Sequence, residues 1–319
     1  MHVDVHAHYF PQEYVDPLTR YGGRVASMSR HVPGTRMPLD ERLGLLDEVG
    51  IDMQVLSVAS AQPNVADAAN AVELARLAND LYADAVRRYP TRFAAFGCVP
   101  LPHVDAALAE AARCLDTLGF RGITTGCSVA GRPLDDPAFE PFWAELDRRG
   151  TVLFLHPMGA GFGGELTPYG LDWLVGALFE DTIAALRLVL SGVTTRYPNM
   201  RVIIPHLGGT VPFAMGRVGR ANAADRARVG QQSGEFAGTL RENLRRIWYD
   251  TVNHEPSAFQ CACAVLGTDR LLLGTDFPYP VGDRFKHCID YVDEADLAPA
   301  EKEAILGGNA QALLGLPSR

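Results

Sequence analysis

The feature that most constrains the fold is a rhythm. Eight short apolar runs, rich in β-branched residues, recur along the 319 residues at 3–10, 53–60, 93–101, 120–127, 151–157, 201–208, 246–253 and 270–278. Stretches of helical spacing separate them, including 39–50, 67–90, 104–119, 136–150 and 179–192. Gly50, Gly119, Gly150 and Gly192 stand where a left-handed residue would close each helix.

Strands that are apolar throughout, rather than alternating, predict a parallel sheet covered on both faces. Eight strand–helix units predict a closed (β/α)8 TIM barrel, an α/β fold with a single domain over 1–319. An open doubly wound sheet would carry G-x-G-x-x-G after a strand, and no run is followed by one. The segment 11–37, rich in Pro, Gly, Arg and Tyr, is expected as a loop insertion folded over the barrel mouth.

In such a barrel the C-terminal strand ends line the mouth where chemistry is done. The first run ends on His6 and His8, the fifth on His156, the sixth carries His206, and the eighth carries Asp276. Alone, each is more readily a hydrogen-bonded structural residue. Together they bring four imidazoles and a carboxylate to one rim from four strands. His6, His8, His156 and Asp276 are the expected ligands of one divalent metal ion, Zn by ligand chemistry, with Mn, Fe or Co compatible. His206 is then expected beside the metal as the proton-transfer residue, with Asp276 sharing the catalytic work. His2, His31, His103 and His287 fall before strands, in loops or on helices and read as ordinary, and His254 after the seventh run is a minor candidate. Phe10, Phe162, Trp173 and Tyr279 are candidate pocket walls, and Glu180 a candidate supporting carboxylate.

Charge restricts the partners. Lys and Arg total 29 against 38 Asp and Glu, a net −9, which argues against a nucleic-acid or anionic-membrane surface. The six cysteines show no repeated spacing and read as reduced thiols. Asp4 and the histidines interrupt the first apolar run, and no run reaches the roughly 18 residues of a membrane helix. A cytoplasmic location is therefore expected.

With these residues placed, the chain resembles the amidohydrolase superfamily, in the branch of aminocarboxymuconate-semialdehyde and 6-methylsalicylate-type decarboxylases. The carriers are "DVHAHYFP" (4–11), "ERLGLLDEVGIDMQVLS" (41–57), "DPAFEPFWAELDRRGTVLFLHP" (136–157), "LSGVTTRYPNMRVIIPHLGGTVPF" (190–213) and "LLGTDFPYP" (272–280). The resemblance implies the same ligand set and proton donor. It further implies that Arg217 binds the substrate carboxylate, reaching across a homodimer interface. Two departures stand out. The fourth run holds no lysine for a carbamylated bridge, which favours one metal. The family's loop arginine has no clear match in 21–37, where Arg24, Arg30 and Arg36 lie.

The expected reaction is non-oxidative decarboxylation of a small unsaturated or aromatic carboxylic acid held by Arg217, Phe10 and Trp173. The alternatives are a metal-dependent hydrolase or hydratase acting on a lactone, amide or unsaturated acid, and a metal-stabilised barrel without catalysis.

Overall fold

The computed structural model describes residues 1–23, 37–159, 166, 168–219 and 238–317. Each apolar run contains a strand: β1 (Val3–His8), β2 (Met53–Ser57), β3 (Phe93–Cys98), β4 (Gly122–Gly126), β7 (Val152–His156), β8 (Arg201–Ile204), β9 (Trp248–Asp250) and β10 (Leu271–Leu272). A short antiparallel hairpin, β5 (Ser128–Val129) and β6 (Arg132–Pro133), follows β4. The eight pair in the order β1-β2-β3-β4-β7-β8-β9-β10, and every pair is parallel. Backbone bonds close the ring beyond β10: Val5 N–H to Leu273 O at 2.9 Å, Asp276 N–H to His6 O at 2.9 Å and His8 N–H to Phe277 O at 2.7 Å. The architecture is the (β/α)8 barrel.

β1 and β3 are buried at every position, because side chains on one face fill the barrel and those on the other meet helices. Val3, Val5, Met53, Val55, Ala94, Phe96, Val152, Phe154, Ile203 and Leu272 form the interior plug. The helix Ala68–Arg88 turns Ala71, Leu74, Ala75, Ala78, Tyr82 and Ala85 inward at three- and four-residue spacing. Asp67 caps it by accepting the Asn70 N–H. Gly50, Gly119, Gly150 and Gly192 all adopt positive φ, as their positions after helices predict.

The segment 11–37 departs from the loop expectation. Residues Gln12–Arg20 form a helix that buries Tyr14, Val15 and Leu18. That apolar stripe outweighs the interruption by Pro17. Residues 24–36, with Arg24, Arg30 and Arg36, lie outside the described residues.

Candidate metal centre

Between Asp4 and Ala7, β1 carries one residue more than β2: Asp4 pairs with Gln54, yet Ala7 pairs with Leu56 and His8 with Ser57. Such a bulge exchanges the two faces of a strand. Val3 and Val5 consequently point into the plug, while beyond the bulge Ala7 joins the outer core and His6 and His8 turn inward. The His6 ring meets those of Phe154, His156 and His206 at centroid distances of 5.2, 5.0 and 5.3 Å. On β7, His156 continues the inward series of Val152 and Phe154. From β10 onward, Leu272, Gly274 and Asp276 follow the same alternation. A Cβ on Gly274 would stand 2.8 Å from Asp250 Cβ and 3.1 Å from His6 Cβ, so only glycine allows this close approach.

The hydrogen bonds orient the imidazoles. His6 Nδ1 donates to Asp250 at 2.7 Å, His156 Nδ1 to the Pro157 carbonyl at 2.8 Å and His206 Nδ1 to Asp181 at 2.8 Å. With Nδ1 engaged outward, each ring turns its Nε2 toward the centre, the orientation that outer-shell partners impose on metal-binding histidines. The ligand atoms of His6, His156, His206 and Asp276 lie within 4.8 Å of one another. His156 Nε2 is buried without a hydrogen-bond partner among the described residues. His8 Nε2 lies 3.3 Å from His6 Nε2 and 2.7 Å from Asp276 Oδ1, and His6 Nε2 lies 3.2 Å from the same oxygen. Ligands held about 2.1 Å from one ion sit roughly 3 Å apart. The His6–His8–Asp276 triangle therefore has the size of one face of a coordination shell, and the residues fit a divalent cation.

Burial opposes charge on His6, but Asp250 and Asp276 outweigh it and raise its pKa to about 10. Burial dominates at His8 and His156, lowering both, the latter strongly. At Asp276 burial favours protonation, yet His6 and His8 hold the carboxyl well below its usual range. At His206 burial is outweighed by Asp181, which raises the imidazole, while burial lifts Asp181 itself to about 6.

Both His206 and Asp276 have positive φ, 53° and 61°, conformations that non-glycine residues adopt only when the surroundings impose them. The turn after His206 is held tightly against the helix Ala177–Leu190. A Cβ on Gly209 would come 2.1 Å from the Leu178 carbonyl oxygen. Beneath the site, fully buried Asp4 accepts from His6 N (3.0 Å), Thr275 N (3.1 Å), Thr275 Oγ1 (2.7 Å) and Gln54 Nε2 (2.7 Å). Buried Arg42 donates to Gln54 Oε1 at 2.8 Å and to the His8 carbonyl at 2.9 Å. This network fixes both sides of the bulge.

All five residues expected at the mouth therefore come together. Phe10 is buried with its ring 5.5 Å from that of His8, and Tyr279 stands 5.1 Å from His8 on another side. Trp173 is half-buried beside Gly159, three residues past His156. Glu180 accepts the Met158 N–H at 2.8 Å. Arg217 is exposed on the helix Val211–Val218, on the outside of the barrel. Phe162 lies outside the described residues. His254 is half-buried, with burial lowering its pKa to about 4. Sequence reasoning passed over Asp250, Asp181 and the Asp4–Gln54–Arg42 network. Asp250 ends β9 within the seventh run, so the strand-end rule reaches it. Asp181 adjoins the chosen Glu180, and only helix phase separates the two.

Comparison with known proteins agrees with this geometry. The family model described as Amidohydrolase matches residues 3–316. The chain is 30% identical to a 2-amino-3-carboxymuconate-6-semialdehyde decarboxylase of Dictyostelium discoideum, over 98% of this chain and 91% of the relative. It is 32% identical to a gamma-resorcylate decarboxylase of Rhizobium radiobacter, over 88% of each. A 2-keto-4-carboxy-3-hexenedioate hydratase of Sphingobium is 27% identical over 85% of this chain and 80% of its own length. Among solved structures, 2,6-dihydroxybenzoate decarboxylase complexed with 2,6-dihydroxybenzoate superposes with a TM-score of 0.83 and 27% identity, covering 99% of both chains. A dihydroxybenzoic acid decarboxylase of Polaromonas, with bound manganese and 2-nitroresorcinol, gives a TM-score of 0.83 and 25% identity over 100% of this chain and 98% of its own. By its family match, its barrel and the side chains gathered at its mouth, the chain belongs to the amidohydrolase family.

Proposed function

We propose that the chain is a metal-dependent carboxy-lyase that removes CO2 from a small aromatic or unsaturated carboxylic acid. The observation that carries this reading is the set of imidazoles turned inward at one rim by acceptors behind them, with Asp276 among them and His206 backed by Asp181. His6, His8, His156 and Asp276 are the ligands. The donor chemistry suits Zn, and the manganese in a related decarboxylase makes Mn an equal choice. When bound, the ion supplies Lewis acidity and a fixed anchor for a substrate oxygen.

His206 supplies the proton. Asp181 holds its Nδ1 and favours the protonated ring, which leaves Nε2–H to protonate the carbon bearing the carboxylate. That carbon loses conjugation. The C–C bond then cleaves, its electron pair restores the π system, CO2 leaves, and His206 is reprotonated from solvent. Phe10, Tyr279 and Trp173 wall the site and exclude water.

Arg217 acts in a neighbouring subunit of a homodimer. Its helix starts where Thr210 Oγ1 meets Thr182 Oγ1 at 2.9 Å. Phe213 (90%) on the same helix, and Ile183 (44%) and Leu174 (65%) on and just before the helix Ala177–Leu190 that this contact joins, are exposed apolar side chains of the kind a subunit contact covers. No described helix is long and apolar enough to cross a membrane. The free cysteines support a cytoplasmic location.

The hydratase relative favours one second reading, addition of water to an unsaturated acid with Asp276 as base. Product analysis separates the two. Metal-loaded protein is incubated with hydroxybenzoates and unsaturated dicarboxylates. Stoichiometric CO2 supports the decarboxylase, and a gain of water without CO2 overturns it.

A further inference from the structure

Orphaned polar atoms are concentrated in one stretch of the mouth. Ser57 Oγ, Ser60 Oγ, Gln62 Oε1 and Asn64 Oδ1 are buried and have no hydrogen-bond partner among the described residues, four such atoms within residues 57–64. A folded chain tolerates few unsatisfied buried polar groups, because each forfeits its hydration. A run of them at the C-terminal end of β2 calls for a ligand that completes them. Ser57 follows Met53 and Val55 in the inward series and pairs with His8 across β1. Gln62, 2% exposed, donates Nε2 to the Ala59 carbonyl at 2.9 Å and to Thr124 Oγ1 of β4 at 3.3 Å. Those bonds fix the amide orientation, so the atom left over is the carbonyl oxygen, an acceptor only.

Gln62 and Asn64 line a cavity of about 170 Å³ with Gly22, Ser128, Gly131 and Met158. Met158 lies two residues past His156, so the cavity opens on the same rim as the metal centre, above β2, β4 and β7. No Lys, Arg or His lines it among the described residues. The unpaired atoms it presents, Gln62 Oε1 and Asn64 Oδ1, are both acceptors and suit a neutral hydrogen-bond donor rather than a second carboxylate.

We propose that Gln62, with Asn64, forms a specificity subsite that accepts a hydrogen bond from a hydroxyl or amino substituent of the substrate, remote from the carboxylate lost in the reaction. This rests on the decarboxylase reading for the kind of ligand, but binding alone can test it. A site built to pair with a donor rejects the analogue lacking it, because the buried acceptor is then stranded.

The test measures Kd by calorimetry on metal-loaded protein for benzoate and for its singly hydroxylated and amino-substituted forms, carboxylated substituents included as controls. At least one donor-bearing isomer should bind about tenfold tighter than benzoate, and dicarboxylates should gain nothing. In Gln62→Met the preference should fall to near unity with benzoate affinity retained. Should that variant fail to fold, Asn64→Leu provides the reading. It removes an orphan, so it should melt no lower than the parent while the donor preference falls. An equal preference in wild type and variants, selectivity for the dicarboxylates, or binding of none of the panel overturns the proposal. Retained donor selectivity without any CO2 release would instead overturn the decarboxylase reading and leave the subsite standing.

Discussion

Asp250 is the residue whose replacement says most about the site. Its carboxylate accepts from His6 Nδ1 at 2.7 Å, from the His206 backbone N–H at 2.9 Å and from the Val252 N–H at 3.0 Å. Both Asp250 and His6 are fully buried. Asn has nearly the same shape but only one acceptor oxygen for three donors. If that oxygen faces His6, the amide NH2 opposes two backbone N–H groups. If it turns away, His6 loses its acceptor and its proton moves to Nε2, the atom aimed at the metal. Outer-shell replacements of this kind weaken metal binding about 10- to 100-fold, or about 1.4–2.8 kcal/mol. A stranded buried donor costs the fold a further ~1–3 kcal/mol. Asp250→Asn should show both effects, the first in competition of Mn or Zn against a chromophoric chelator, the second in urea unfolding of metal-stripped protein. Metal affinity within twofold of wild type would refute the orientation argument.

Other outcomes follow from the same geometry. His206→Ala should keep its metal and fold while kcat falls by roughly 10²–10⁴; turnover near the wild-type rate would remove its proton-transfer role. Because Asp181 raises the His206 pKa and the proposed proton transfer needs the protonated ring, activity should fall as pH rises through that pKa. In Asp181→Asn the alkaline limb of the profile should move to lower pH. Gly209→Ala places a methyl against the Leu178 carbonyl at a φ of 62°, and should destabilise by more than the ~1–3 kcal/mol of backbone strain alone, read by thermal melting. If Arg217 acts in the neighbouring subunit, inactive Arg217→Ala and His206→Ala proteins should regain roughly a quarter of wild-type activity when subunits exchange at equal ratio. Phe213→Glu should shift the protein to monomer in sedimentation.

The barrel was legible because its signal is repeated: each of the eight apolar runs contains its strand, and each glycine chosen as a helix stop has positive φ. The cluster at the mouth was legible because one topological rule, chemistry at the C-terminal strand ends, selects His6, His8, His156, His206 and Asp276. The bulge in β1 was not. Alternation puts His6 and His8 on one side of the strand, but which side depends on one extra residue relative to β2, a pairing property that no single segment carries. Buried Arg42 was equally hidden, since a charged residue on a helix reads as solvated until Gln54 and the His8 carbonyl are seen to receive it. The helix Gln12–Arg20 was masked by Pro17 and the glycines that follow it.

The most direct measurement of the central claim is anomalous diffraction from crystals of the manganese-loaded protein. One peak within bonding distance of His6 and His156 Nε2 and the Asp276 carboxylate is predicted, with His8 completing the set and His206 outside it. A peak ligated by His206 in place of His8 would reassign the proton donor. Scattering elsewhere, or none at the barrel mouth, would contradict the account.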